Sequence, residues 1–229
     1  MRKLILILVV FFLLITISSA HQPRIVSDNF TSVENPEVSQ AFYGKLDGSP
    51  HYYQIDSEKP YKLYVSLSVP DIKDIEKDVS AEITRIHDGT NNEFNVLLNG
   101  TAHNWTRYYE NFGGDHYYRG PELGTNQDGD LPQGINVGSG TYNIKVSSPD
   151  NEGKYVLVVG YKETWTVEEF INTVLTLPEL KSEFFEKSPL TAYFNLIGVF
   201  IFIMVAVSIS ILVYIGLKLN RYLSKRRIK

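Results

Sequence analysis

Residues 196–217 run for 22 positions without a charged side chain. No other stretch restricts the chain so tightly. A helix of that length rises about 33 Å at 1.5 Å per residue, and the hydrocarbon core of a bilayer is about 30 Å thick. Before Tyr214 its hydroxylated members are Ser208 and Ser210, which can bond back to carbonyls of their own helix. Tyr193 and Phe194 stand at one end and Tyr214 near the other, as amphipathic rings do at a membrane–water interface. A buried core helix would need a polar stripe, and this segment has none. One transmembrane helix is therefore expected within residues 190–217. A tail over 218–229 follows, where Lys218, Arg221, Lys225, Arg226, Arg227 and Lys229 meet no acid. That excess of positive charge predicts a cytoplasmic tail.

The amino end points the same way. Arg2 and Lys3 precede an apolar run from Leu4 to Ile15, and Ser18-Ser19-Ala20 supplies small residues. This is the layout of a secretory signal cut after Ala20, and the run falls short of the ~20 residues that span a bilayer. Residues 1–20 read as a signal peptide that sends residue 21 outward, giving a single-pass cell-membrane protein with its N-terminal domain outside.

All 26 acidic residues lie between positions 21 and 189, against 14 basic ones, so the outer segment has a net charge of −12. Such a surface repels nucleic acid and attracts cations. The chain contains no cysteine, which excludes thiol catalysis, zinc–cysteine sites and iron–sulfur clusters. An exported domain without disulfides must rest on its core and its sheet hydrogen bonds.

Period-two alternation marks strands with one buried face. Leu63, Val65, Leu67 and Val69 share a side opposite Lys62, Ser66 and Ser68; Tyr142, Ile144 and Val146 oppose Asn143 and Lys145; Tyr155, Leu157 and Val159 form a third inward set. Weaker strands are expected over 40–46, 51–55, 81–86 and 93–98. Turn formers separate them, and the run from Pro149 to Gly153 predicts a hairpin between two strong strands. A mainly β extracytoplasmic domain over 21–163 follows, of sandwich or jelly-roll type.

Helical signals begin after Tyr161. Thr166-Val167-Glu168-Glu169 fits a capping box, with Phe170, Ile171, Val174 and Leu175 as an apolar face. Beyond Pro178, Leu180, Phe184 and Phe185 predict a second amphipathic stretch with Glu179, Lys181, Glu183 and Glu186 facing water. This juxtamembrane segment, 164–189, packs on the β domain or lies on the lipid surface.

Ser139-Gly140-Thr141-Tyr142-Asn143-Ile144-Lys145-Val146, followed by Asn151-Glu152-Gly153-Lys154-Tyr155-Val156-Leu157-Val158-Val159-Gly160, resembles the last two strands of prepeptidase C-terminal domains. Those are jelly-roll modules of secreted bacterial and archaeal proteins. The wider pattern is similar to a group of membrane-anchored prokaryotic surface proteins. It includes Asn35-Pro36-Glu37, Ala41-Phe42-Tyr43-Gly44, Trp105 with Tyr108-Tyr109-Glu110, and Gly120-Pro121-Glu122. The resemblance implies a binding or accessory role and brings no catalytic residues with it.

Four candidate sites stand out. Asn126, Asp128 and Asp130 space oxygen ligands two apart, as a structural calcium ion wants, although Val137 stands where an EF-hand has its closing glutamate; an ordinary polar turn is the other reading. His21 would become the new amino terminus, and its amine and imidazole suit copper, with His51, His87, His103 or His116 available as a second ligand. Trp105, Tyr108, Tyr109, Tyr117 and Tyr118 lie among polar residues, where exposed rings could stack on a glycan or grip a protein; the alternative is that half of them are core. Asn29, Asn99 and Asn104 open N-glycosylation patterns. Gly138-Ser139-Gly140 precedes a strand and so is no nucleophile elbow, and neither a metalloprotease motif nor a phosphate loop occurs. The expectation is a non-enzymatic surface module with a protein or glycan partner. The alternative is a metal-binding surface protein using His21.

Overall fold

A computed structural model describes residues 21–86, 94–126, 131–164 and 166–227. The expected signal peptide, His87, Asp128 and Asp130 lie outside the described residues. The strands are β1 (Gln22–Ile25), β2 (Phe30–Ser32), β3 (Gln40–Asp47), β4 (His51–Ser57), β5 (Tyr61–Leu63), β6 (Val65–Pro70), β7 (Ser80–Ile86), β8 (Asn95–Leu98), β9 (Thr106–Glu110), β10 (Asp115–Leu123), β11 (Ile135–Val137), β12 (Gly140–Ser147) and β13 (Glu152–Val159). Helix α1 (Val167–Glu179) and the long helix α2 (Leu196–Arg227) follow.

A first sheet has the order β1-β3-β13-β6-β10-β9, and a second has β2-β4-β12-β7-β8; β5 and β11 pair as a separate ribbon. Pairing is antiparallel except for β1 with β3 and β2 with β4. Inward side chains of both sheets share one core. Phe42, Leu46, Leu67, Tyr155 and Leu157 come from the first sheet; Tyr53, Ile55, Ile83, Ile144 and Val146 come from the second. Burying each such side chain contributes roughly 1.5–3 kcal/mol. The Tyr155 hydroxyl lies 2.7 Å from both His51 Nδ1 and Tyr53 Oη, joining the two sheets inside that core. Gly44 makes room for this ring, since a Cβ there would fall 2.4 Å from it.

Alternation correctly places the inward residues of β6, β12 and β13, but the expected hairpin at 149–153 does not form. β12 pairs with β4 and β7, whereas β13 pairs with β3 and β6, so the connection crosses between sheets. The β3–β4 connection crosses beside it, and Gly48 N donates to Asn151 O at 2.8 Å. Alternation says which face is buried and is silent about the neighbouring strand.

Thr166 caps α1 by accepting from Glu169 N at 3.1 Å. The expected box closes on one side only, because the Glu169 carboxylate takes both guanidinium nitrogens of Arg24 instead, at 2.9 and 3.0 Å. Pro178 sits in the last turn of α1, and a π-helical turn over Leu180–Phe184 follows. A short 3-10 turn, Pro189–Tyr193, leads to α2. The apolar face also differs from expectation. Thr173 and Leu177 are buried, while Ile171 and Leu175 are exposed. Residues 196–221 of α2 are long and apolar enough to cross a membrane. Ser208 and Ser210 donate to Met204 O and Ala206 O, as the sequence predicts. The helix continues to Arg227 without a break between the apolar stretch and the basic tail.

Candidate functional site

The outer face of the first sheet is not open to water. β3, β10 and β13 present Ala41, Tyr117, Val156 and Val158 there, and Leu180, Phe184 and Phe185 cover them in a second apolar cluster. Tyr43 meets Phe184 edge-on at 5.0 Å, and Tyr117 meets Phe185 at 5.3 Å. The Tyr43 and Tyr117 hydroxyls are 3.1 Å apart, and Tyr108 stacks on Tyr117 at 5.5 Å. Burial raises the pKa of the Tyr43, Tyr108 and Tyr117 phenols, so all three stay protonated.

Beside this cluster the turn between β9 and β10 grips the segment ahead of α2. The Glu110 carboxylate accepts from Phe112 N and Gly113 N, each at 2.6 Å, and Gly114 adopts φ +75°, closing the turn. Burial pushes the Glu110 carboxyl above its ordinary range, against the pull of those two amides. Asp115, 3% exposed, pairs with Lys181, 2% exposed, and with Lys187 at 2.9 Å. Lys181 also donates to Gly113 O at 2.7 Å, which accepts from Asn195 Nδ2 at 2.8 Å. The Asn195 side-chain oxygen in turn accepts from Gly198 N at 3.0 Å in the first turn of α2. One hairpin turn thus holds the π-helical turn, the linker and the start of the apolar helix. A groove of about 1160 Å3 runs along this junction, lined by residues such as Tyr109, Phe170, Leu177, Ile197 and Phe200.

The expectation that Lys181 faces water is corrected here. It lies among Leu180, Phe184 and Phe185, and in that apolar setting a lysine persists only with its charge paired. Asp115, Lys187 and Asn195 carry no sequence pattern that marks them as its partners. The available signal was Lys181 itself, a cation at the helical spacing of an apolar face.

No family model matches the chain, and no curated protein matches it. Among solved structures it is similar to the pre-peptidase C-terminal domain of collagenase from Bacillus anthracis. That likeness has a TM-score of 0.31 and 12% identity, and covers 62% of this chain and 97% of that one.

The five ring residues of the candidate ligand surface part company. Tyr117 is buried, which removes it from any exposed surface. Trp105 and Tyr118 pack against the main core, the former donating from Nε1 to Gly100 O at 2.8 Å. Tyr108 packs on the second cluster, with the Arg119 guanidinium over its ring at 5.0 Å. Tyr109 alone of the five is exposed, at 49%, with the His116 ring 4.7 Å away.

His21 is half-buried, its Nδ1 against the Ser39 hydroxyl, and burial lowers the imidazole to about 4. His51 is committed to Tyr155 in the core, and His103 and His116 lie against Trp105 and Tyr109. Among the described residues no group of three metal-ligating side chains assembles. The Asn126 amide oxygen accepts from Leu131 N at 3.1 Å. Asn29, Asn99 and Asn104 are all exposed, as an acceptor site requires.

Proposed function

We propose that this chain is a cell-surface binding or accessory module, non-enzymatic, anchored by α2 with its β domain outside and residues 218–229 in the cytoplasm. On this reading the two sheets form a β-sandwich of jelly-roll type, and its partner is a protein or a glycan. The observation that carries the proposal is the buried junction of Asp115 with Lys181 and Lys187. It ties the domain to the segment ahead of the apolar helix, and a tied mount suits presentation of a surface. Polar groups at that junction are occupied by one another, which leaves them few roles in chemistry.

The surface offered lies on β9, an edge strand of the first sheet, where Tyr109 stands open. Arg107 is held beside it by Asp71 at 2.6 Å. A photo-crosslinking benzophenone amino acid at position 109, in intact producing cells, tests this directly. A discrete adduct is expected at 109 and none at position 86, where exposed Ile86 ends β7 on the other sheet. Equal labelling at the two positions, or none at 109, rejects the β9 surface.

A further inference from the structure

We infer that the uncovered face of α1 lies in the outer leaflet of the bilayer, so that Val167, Ile171 and Leu175 seat the β domain directly on lipid. The inference rests on the reading of α2 as membrane-spanning.

α1 has three sides. Thr173 and Leu177 face the protein and are buried. Glu168 and Asn172 form an exposed polar side. Val167, Ile171 and Leu175, four residues apart, stay on one side of a helix that turns 100° per residue. They are large and apolar, yet Val167 is 78% exposed and Leu175 71%. An apolar stripe left bare between a packed side and a polar side is what an interfacial helix presents to a membrane.

Two contacts place this stripe at the membrane rather than merely on the surface. Phe170 meets Phe200 edge-on at 5.3 Å, and Val174 packs with Ile201 around Ile197 and Ala192. α1 therefore lies against the first turn and a half of α2, a helix on which Val199 and Phe202 are exposed. In the linker just ahead of α2, Leu190 and Phe194 are apolar and exposed as well, the latter at 84%.

The lengths agree. The uncharged stretch of α2, 196–217, has 22 residues, about 33 Å, against about 30 Å of hydrocarbon. Phe200 is about 6 Å along α2 from Leu196, near the outer end of that stretch. Interfacial helices bury their apolar faces to about 5–10 Å. The polar side of α1 carries an acid rather than the usual lysines, so attraction to anionic lipid plays no part. Attachment to α2 holds the helix in place instead.

Because the chain has no cysteine, single cysteines can each carry an environment-sensitive fluorophore on the full-length protein in phosphatidylcholine vesicles. The positions are Ile171→Cys and Leu175→Cys on the stripe, Asn172→Cys on the polar side and Val213→Cys within α2. Blue-shifted emission, quenched by nitroxide-bearing lipid, is expected at 171, 175 and 213, with red, unquenched emission at 172. Quenching at 213 without quenching at 171 and 175 overturns the inference and leaves the spanning helix intact. Absence of quenching at 213 overturns both. Equal quenching at 171 and 172 overturns the one-sided seating.

Discussion

β12 and β13 are consecutive strands of eight residues each, yet they live in different surroundings. On β12 every second residue is buried, and Asn143 and Lys145 look out from the second sheet towards water. On β13 every residue from Tyr155 to Val159 is buried, because Val156 and Val158 meet the cluster of Leu180, Phe184 and Phe185. β6, in the first sheet, is buried at all six positions. The centre of one sheet is therefore sealed on both faces, and the other sheet on one. A strand covered on both sides reads as a continuous apolar run, and one with a wet face reads as alternation. What covers the first sheet is the segment leading to α2, so its sealed face is where the domain meets its mount.

The strongest way to break this contrast is Lys181→Ala. It strands Asp115 in a buried site with Lys187 alone, and losing one member of a buried pair costs about 3–5 kcal/mol. The full-length protein should lose thermal stability, and protease should cut faster within residues 164–195. A paired change, Asp115→Asn with Lys181→Met, removes both charges and should recover most of the loss. If the single change is silent, the junction does not hold the segment.

Next in size is Tyr155→Phe. The hydroxyl bridges Tyr53 and His51 in the shared core, and its removal leaves two buried polar groups short of a partner. The cost is roughly 1–3 kcal/mol, and it should appear in denaturant unfolding as one cooperative shift. A separation into two transitions would show that the sheets unfold independently.

Much of this contrast was legible in the residues, though not all by the same signal. Leu63, Val65 and Leu67, or Tyr142, Ile144 and Val146, disclose their inward side by period alone. Val156 and Val158 carried a second message, that the opposite side is also dry, and an inward set of Tyr155, Leu157 and Val159 leaves that message unread. β10 escaped because its register slips between Arg119 and Glu122, and a slip breaks the period. Gly120 occupies the slip, pressed so close to Trp105 that a Cβ would lie 2.5 Å from the ring. β1 and β2, four and three residues long, are too short to show any period. The junction was least legible of all. Asp115 and Lys181 are 66 positions apart, and no local pattern pairs them.

A pH titration sharpens the view of the sealed side. Burial raises the Glu110 carboxyl above the ordinary glutamate value of 4.5. Between that value and the raised one, the folded chain binds more protons at this site than the unfolded chain does. Its contribution to stability therefore falls as pH rises through the window and is fully present below it. Glu110→Gln, which keeps an acceptor for the two turn amides, should flatten this slope. An unchanged profile would assign the pH dependence to other carboxyls. Glu37 runs the opposite way: Lys162 and the Lys62 amide hold its carboxyl below the ordinary range, so its contribution is lost as pH falls.

The smallest expected effect belongs to the wet face. Lys145 stands across from Glu82 on β7 and from Tyr52 on β4, half-buried between its neighbours. Lys145→Ala removes a cation that water solvates in both states, so the change should stay within about 0.5 kcal/mol. Two lysines in one chain, at 145 and 181, would then differ several-fold in cost for reasons of surroundings alone. If Lys145→Ala proved as damaging as Lys181→Ala, water could not be what faces the second sheet. Some further surface would have to lie across Asn143 and Lys145, either a second copy or a bound partner. Repeating the measurement over a tenfold range of protein concentration would separate these, because only a second copy makes the loss depend on the amount of chain present.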